Sequence, residues 1–118
     1  VTEGGRKTVS GTGMIPGDLI GGKISWKTGV SDLIDCAVVK HVSGEWSEIG
    51  LRSYEQGRGV FEGTEKHLVW FDEEPPADCY TEALTRTMTV DGMILLTFTP
   101  LEGMSEVVLS FIGGKDER

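Results

Sequence analysis

The sequence has few of the features that mark membrane proteins, disulfide-rich domains and nucleic-acid-binding surfaces. No apolar run approaches the roughly 20 residues that a transmembrane helix needs, and the start, VTEGGRKTVSGTG, lacks the apolar segment of a signal peptide. The two cysteines, Cys36 and Cys79, have no metal-ligand spacing, as expected for reduced thiols of a cytosolic protein. Basic residues are also scarce, since 11 Lys and Arg against 19 Asp and Glu give a formal net charge of −8. This surface alone therefore does not predict a nucleic-acid groove.

The composition is otherwise typical of one soluble globular domain, with 38% hydrophobic and 25% charged residues in 118. Residues 1–33 hold eight of the 17 glycines and are predicted to be loop-rich, with a short helical turn around PGDLI at 16–20. Two β-rich runs at 34–42 and 46–54, separated by the turn SGE, predict a β-hairpin. Residues 55–65 then read as a connecting loop.

The second half of the chain alternates between predicted strands and helices. The order is strand, helix, strand, helix, at residues 67–71, 76–88, 92–100 and 104–114. This order predicts a βαβ crossover and a parallel sheet. The run HLVWF at 67–71 is continuously apolar, which predicts a strand buried on both faces.

The helix at 76–88 is predicted from apolar residues at helical spacing and from a charge pair. The predicted apolar stripe consists of Tyr80, Ala83, Leu84 and Met88. Glu82 and Arg86 stand four residues apart, so we expect them to form an ion pair.

The aromatic and histidine residues are predicted to be structural. Trp26, Trp46 and Trp70 are expected in the core rather than stacked on bases, because few basic residues are interleaved with them. His41 and His67 have no second ligand at metal spacing.

Three carboxylates, Asp72, Glu73 and Glu74, follow the apolar strand directly, and Thr97 and Thr99 stand near the end of the next strand. Ligands of parallel α/β sheets bind at the carboxyl ends of strands. An apolar strand that ends in Asp-Glu is the Walker B arrangement of many P-loop ATPases, in which the Asp fixes Mg²⁺ and the Glu orients or deprotonates the attacking water. The alternative is a solvated acidic turn before a helix N-terminus, where carboxylates are also favourable.

The segment GDLIGGKI at 17–24 matches the P-loop pattern G-x-x-x-x-G-K but does not support a phosphate cradle. Ile24 stands where the Mg²⁺-binding hydroxyl is needed, and neither a preceding hydrophobic strand nor a following helix is predicted. Lys23 is therefore expected to be an ordinary surface lysine.

Residues 53–108 resemble the ATPase domain of the large terminase subunit of tailed bacteriophages, the motor that packages DNA into the procapsid. WFDEEPP, YTEALTRT and LTFTPLEGMSEVV carry the likeness and stand in the family's order. GTGMIP at 11–16 and VVKHVSG at 38–44 extend it over nearly the whole chain.

The resemblance implies part of an α/β P-loop NTPase fold of the ASCE/RecA-like kind, mainly parallel sheet with a β-hairpin insertion. It implies that Asp72 holds Mg²⁺ through water and that Glu73 is the catalytic glutamate. Thr97, Phe98 and Thr99 would form the coupling motif that links hydrolysis to DNA movement. Glu74 would be either an outer acid of this site or the N-terminal charge of the next helix.

The sequence departs from the family pattern in two respects. The Walker A P-loop and the C-terminal nuclease domain are not found in it, so we expect a middle part of a terminase that is inactive alone. Many large terminases also carry an Arg-Gly just before the Walker B strand, where this chain has Glu62. Arg58 is the nearest substitute as an arginine finger, against the alternative of a solvated loop residue, while Arg52 and Arg86 are other arginines in reach.

The function implied by the resemblance is Mg²⁺-dependent ATP hydrolysis that drives double-stranded DNA into the procapsid. The implied partners are the DNA, the portal protein, the small terminase subunit and further copies in a ring, in the host cytoplasm at the portal vertex during phage assembly. One alternative is an inactive remnant or stand-alone interaction module. Another is a metal nuclease that uses the acidic residues Asp72, Glu73, Glu74 and Asp78.

Overall fold

The computed structural model of the chain describes residues 2, 3, 6, 7, 9, 11–57, 59, 63–101 and 103–112. They belong to two compact units, an N-terminal unit (Val1–Arg52) and a C-terminal unit (Ser53–Arg118). The strands are β1 (Thr2–Glu3), β2 (Arg6–Lys7), β3 (Ile20–Trp26), β4 (Ile34–Lys40), β5 (Trp46–Gly50), β6 (Leu68–Asp72) and β7 (Met93–Thr97), and the helices are α1 (Ala77–Met88) and α2 (Glu106–Ile112). Neither helix of the described residues has the length and apolar character needed to cross a membrane.

The N-terminal unit contains a three-stranded antiparallel sheet in the order β3-β4-β5, besides the short β1-β2 pair. The predicted hairpin is confirmed, because β4 and β5 pair from Cys36 opposite Gly50 to Lys40 opposite Trp46. The predicted turn after Pro16 is also present as a 3₁₀ helix at Gly17–Leu19.

The prediction that residues 1–33 are loop-rich is wrong for β3, which pairs with β4 along residues 20–26. The two glycines in this strand give it the local signature of a loop. Gly21 is nevertheless required by packing, because a Cβ there would lie 2.5 Å from Val38 Cγ2 and 3.1 Å from the Trp46 ring. The signal for this strand therefore lies in its neighbours, not in its own sequence.

The C-terminal unit is built on a strand–helix–strand unit. β6 and β7 pair in parallel, from Leu68 opposite Met93 to Asp72 opposite Thr97, and α1 connects them. The predicted crossover and parallel pairing are confirmed, and α1 spans the predicted helix to within one residue. Helix α2 begins two residues later than predicted, and Gly113 and Gly114 lie outside the described residues. The assignment to a P-loop NTPase sheet stays a prediction.

The core of this unit lies between α1 and one face of the β6-β7 pair. Its buried members are Val69, Phe71, Cys79 and Ala83, with Tyr54, Tyr80, Ile94 and Leu96 packed against them. The predicted helix stripe is displaced, since Leu84 is 42% and Met88 is 75% exposed, whereas Thr87 is buried. Thr87 satisfies its hydroxyl by donating to the Ala83 carbonyl oxygen at 2.9 Å, which lets a polar residue take an apolar position.

The prediction that β6 is buried on both faces is wrong within the described C-terminal unit. Burial alternates along the strand, and Leu68 and Trp70 on the face away from the α1 core are 55% and 61% exposed. Trp46 is likewise 55% exposed. A core position was therefore the wrong prediction for Trp46 and Trp70, whereas Trp26 is half-buried. The physical reason is that a continuous apolar run does not reveal which of its two faces a neighbour covers.

The residues just before β6 and β7 cap the C-terminal end of α1. Lys66 N donates to the Arg86 carbonyl oxygen at 2.9 Å, and Gly92 N donates to the Thr87 carbonyl oxygen at 2.8 Å. These bonds satisfy carbonyl groups that have no partner within the helix. Gly92 must approach closely to make its bond.

We expect Gly92→Ala to lower the free energy of unfolding by about 1–3 kcal/mol, the usual cost of overpacking. An added Cβ would lie 2.5 Å from the Lys66 carbonyl oxygen and 3.0 Å from Thr87 Cβ, and backbone atoms cannot swing away. Chemical denaturation of the purified variants measures the effect. Gly59→Ala is the matched control, because no described atom lies within 4 Å of a Cβ there. Equal losses in the two variants would contradict this packing.

Candidate functional site

The candidate site lies where β6 and β7 end. The strands are parallel and Asp72 stands opposite Thr97, so the last residues of both strands share one edge of the sheet. The chain leaves β6 through Glu73, whose N–H donates to the Thr97 carbonyl oxygen at 3.0 Å. The structure thus brings together Asp72, Glu73 and Thr97, as the sequence predicts.

A chain of hydrogen bonds orients the Thr97 hydroxyl. The Trp70 indole Nε1–H donates to Thr97 Oγ1 at 2.8 Å, and Thr97 Oγ1 lies 3.3 Å from Asp72 Oδ1 and 3.5 Å from the Phe71 carbonyl oxygen. Because an indole can only donate, Trp70 occupies a lone pair of the hydroxyl and leaves its proton for Asp72 or Phe71. Trp70 is a site residue that the sequence reasoning missed. Trp70 and Asp72 stand two residues apart in a strand, so their side chains lie on the same face. This spacing is the sequence feature that could have placed Trp70 at the site.

Glu73 has an unusual backbone conformation. Its φ is 106°, whereas Asp32 and Asp91, the other described non-glycine residues with positive φ, lie at 57° and 51°, near the left-handed helical value of about 57°. A glutamate in this region is strained and persists only when its surroundings hold it. The backbone of Glu73 is held at two groups. Its N–H donates to the Thr97 carbonyl oxygen, and its carbonyl oxygen accepts from the Tyr54 hydroxyl at 2.6 Å.

Glu74 is turned away from this pair of carboxylates toward helix α2. Ser105 Oγ donates to Glu74 Oε1 at 2.8 Å and accepts from Val108 N at 3.3 Å. Glu74 is half-buried, and the acid in the first turn of α1 is instead Asp78, whose Oδ1 accepts from the Cys79 N–H at 2.9 Å. Glu74 therefore links the acidic turn to the start of α2.

The remaining residues of the predicted coupling motif lie beyond β7. Phe98 is half-buried and lines an apolar groove with Ile94, Leu95, Leu96, Val108, Phe111 and Ile112. Thr99 is exposed, and its carbonyl oxygen accepts from Leu101 N at 2.8 Å. Of this motif, Thr97 is the residue with a described contact to the carboxylates.

The arginines that could act as fingers are placed as follows. Arg58, the predicted substitute, and Glu62 lie outside the described residues. Arg86 pairs with Glu82 at 2.9 Å, which confirms the predicted ion pair. Arg52 pairs with Asp35 at 3.0 Å within the N-terminal unit.

The P-loop-like segment at 17–24 has the wrong local structure for a phosphate cradle. Its 3₁₀ helix at Gly17–Leu19 leads into β3, with Lys23 exposed on the strand. A P-loop instead opens a helix whose N–H groups surround the phosphates. This geometry agrees with the prediction of an ordinary surface lysine.

Two groups beside the acidic turn have raised pKa values. Burial, followed by the negative charge of Glu73, raises the pKa of Tyr54 to about 12. Burial and the neighbouring Asp78 raise the pKa of the Cys79 thiol. Both groups therefore stay protonated at neutral pH, and the Tyr54 hydroxyl remains a hydrogen-bond donor.

The donor atoms at the site are oxygens of the kind that Mg²⁺ prefers. Asp72 offers an exposed carboxylate and Thr97 a hydroxyl, and the described residues contain no cluster of three or more His, Cys, Asp or Glu side chains that could hold a metal. Mg²⁺ is usually bound through one or two carboxylates, water and substrate phosphates rather than by an all-protein cage. Asp72 would hold such an ion.

Comparison with known proteins gives a consistent assignment. Residues 1–117 match the family described as "Terminase large subunit, T4likevirus-type, N-terminal". The "Terminase, large subunit" of Salmonella phage P22 is 44% identical over 109 residues, which cover 86% of this chain. The matched region is 21% of that protein, so the chain spans about a fifth of the relative's length. No solved structure matches the chain significantly.

We expect Thr97→Val to lower the free energy of unfolding by about 0.5–1.5 kcal/mol, the net worth of an ordinary hydrogen bond. The change removes the acceptor of the Trp70 indole and the donor to Asp72. Thr99→Val is the control, because no described hydrogen bond involves the Thr99 hydroxyl. The denaturation midpoint should be lower for Thr97→Val than for Thr99→Val. A larger loss of stability in Thr99→Val would contradict the hydrogen bonds at the strand ends.

Proposed function

Since this chain belongs to the terminase large-subunit family, we propose that it forms the acidic half of the ATP hydrolysis site that drives DNA packaging. The observation that carries the proposal is the pairing of Asp72 with Thr97 at the ends of two parallel strands, with Glu73 directly after them. Parallel α/β sheets bind their ligands at this edge, beyond the carboxyl ends of the strands.

The proposed roles follow from the position of each group. Mg²⁺ would neutralise developing charge on the phosphates of ATP. Asp72 would hold the ion with its exposed carboxylate. Glu73 would orient or deprotonate the attacking water, because this residue is exposed and directly follows Asp72 at the end of β6. Thr97 contacts Asp72 with its hydroxyl and lies one strand away, so it can transmit the state of the site along β7.

The phosphate cradle of the proposed P-loop NTPase fold is supplied from outside this chain. The segment at 17–24 runs into β3, and the P22 relative extends well beyond the matched region. Without backbone N–H donors and a lysine for the β- and γ-phosphates, ATP would bind weakly to the 118 residues alone. Arg58 remains our proposed arginine finger on the strength of its place in the sequence.

The proposed partners are those of a packaging motor: double-stranded DNA, the portal protein, the small terminase subunit and further copies in a ring. The proposed place of action is the portal vertex in the host cytoplasm. Membership of the family supports these proposals. Because the net charge is −8, we propose that other segments of the motor bind the phosphates of the DNA backbone.

The arrangement of the acids favours an ATPase over a metal nuclease. A two-metal nuclease site needs carboxylates that converge on a pair of ions about 3.5–4 Å apart. Glu74 instead accepts from Ser105, and Asp78 accepts from the backbone at the start of α1. Asp72 and Glu73 are left to act at the end of β6.

Substituting Glu73→Gln in the full-length protein is expected to lower the ATPase kcat by about 10²- to 10⁴-fold, the usual contribution of a general base. The affinity for ATP should persist, because the amide keeps the size of the side chain and Asp72 is intact. Steady-state ATPase assays and nucleotide titrations measure the two quantities. Asp78→Asn is the matched control, since this nearby acid lies in the first turn of α1 and accepts from Cys79 N.

The two substitutions also separate the competing functions. Loss of DNA cleavage with intact ATPase activity in both variants would favour the nuclease. Unchanged ATPase activity in Glu73→Gln would overturn the proposed site.

A further inference from the structure

Tyr54 lies in a hydrogen-bonded turn, just before the segment that leads to β6. It opens a 3₁₀ turn, Tyr54–Gln56, that is closed by a capping box between Ser53 and Gln56. Ser53 N donates to Gln56 Oε1 at 3.0 Å, and Gln56 N donates to the Ser53 carbonyl oxygen at 3.2 Å. The Tyr54 ring packs on Phe71, with 6.1 Å between ring centroids. Backbone and ring are thus both fixed.

The Tyr54 hydroxyl reaches one particular atom from this position. It donates to the carbonyl oxygen of Glu73 at 2.6 Å, across 19 residues of sequence. Glu73 is the residue whose φ of 106° is strained for a side chain other than glycine. The same residue is anchored through its N–H to the Thr97 carbonyl oxygen at 3.0 Å. Both hydrogen-bonding groups of Glu73's backbone are therefore fixed, one by β7 and one by Tyr54.

We propose that Tyr54 is a positioning residue that holds the Glu73 backbone in its strained conformation and so aims the Glu73 carboxylate at the edge shared with Asp72 and Thr97. The inference rests on the proposed function of Glu73. Without the hydroxyl, the Glu73 carbonyl loses its anchor and φ relaxes toward negative values. The carboxylate then moves away from the end of β6, while Asp72, within the strand, stays in place.

The hydroxyl, not the ring, carries this role. A phenylalanine would pack on Phe71 equally well, so packing alone does not require a tyrosine. Burial and the Glu73 charge raise the pKa of Tyr54 to about 12, which keeps the hydroxyl protonated as a donor over the whole range in which an enzyme of this kind is assayed. Tyr80 shows the contrast, since its ring also lies beside Phe71, at 6.5 Å, but no described hydrogen bond involves its hydroxyl.

The test is Tyr54→Phe in the full-length protein, with Tyr80→Phe as the matched control. Misplacing a reacting group by about 1 Å can cost 10²-fold in rate, so we expect kcat for ATP hydrolysis to fall by about 10- to 100-fold. KM for ATP should change less than twofold, because the ground-state contacts of the nucleotide do not involve Glu73. Tyr80→Phe should leave both constants within twofold.

A double-mutant cycle with Glu73→Gln distinguishes positioning from a general structural role. If Tyr54 acts through the Glu73 carboxylate, Tyr54→Phe should change the residual activity of Glu73→Gln by less than twofold. An equal additional loss in that background would overturn the proposal, because it would show damage that does not pass through Glu73. Retained ATP affinity in each variant shows that the protein is folded.

The outcomes also separate this inference from the proposed function on which it rests. If Glu73→Gln lowers kcat as expected while Tyr54→Phe leaves kcat within twofold, the site stands and the role of Tyr54 is wrong. If Glu73→Gln leaves hydrolysis intact, the proposed function fails and the role of Tyr54 fails with it.

Discussion

The parallel pairing of β6 with β7 is the interaction on which the candidate site depends. It sets Asp72 opposite Thr97, and it lets the Thr97 carbonyl oxygen accept from the N–H of Glu73 as the chain leaves the strand. Side chains alternate along a strand, so a shift of one residue in this register would turn Asp72 to the α1 face and destroy the arrangement. The buried residues Val69 and Phe71, packed under α1, fix the register from the opposite face.

The site combines a residue fixed within a strand, Asp72, with a residue in a strained turn, Glu73. Asp72 belongs to a strand and is positioned by the sheet, whereas Glu73 lies one residue beyond it with a φ of 106°. Strain of this kind is maintained only where the surroundings supply specific contacts. Here Thr97 binds the N–H of Glu73 and Tyr54 binds its carbonyl oxygen. In the proposed function, the two adjacent carboxylates would therefore take different roles, Asp72 at a metal ion and Glu73 at the attacking water.

The strand–helix–strand unit could be predicted because each element has its own periodicity and length in the sequence. What failed depended on contacts between distant residues. Strand β3 is not predicted because Gly21 is typical of a loop. In the structure this position must be glycine, because a Cβ there would lie 3.1 Å from the Trp46 ring. The sequence predicts a core position for Trp70 because hydrophobicity does not indicate which face of a strand is covered. The contact of Tyr54 could not be predicted because its partner is 19 residues away. That Asp72, Glu73 and Thr97 lie together could be predicted because their place at strand ends is a local property of the sequence.

Metal-directed cleavage of the full-length protein tests most directly whether the ion binds at the ends of β6 and β7. Fe²⁺ replaces Mg²⁺ in the presence of ATP, and ascorbate with peroxide then produces hydroxyl radicals that cut the backbone close to the ion. We expect ATP-dependent cuts at residues 71–74 and 97–99, at the paired ends of β6 and β7, and their loss in Asp72→Asn. Cuts confined to other segments, or cuts at this edge that survive Asp72→Asn, would contradict the placement of the hydrolysis site at these strand ends.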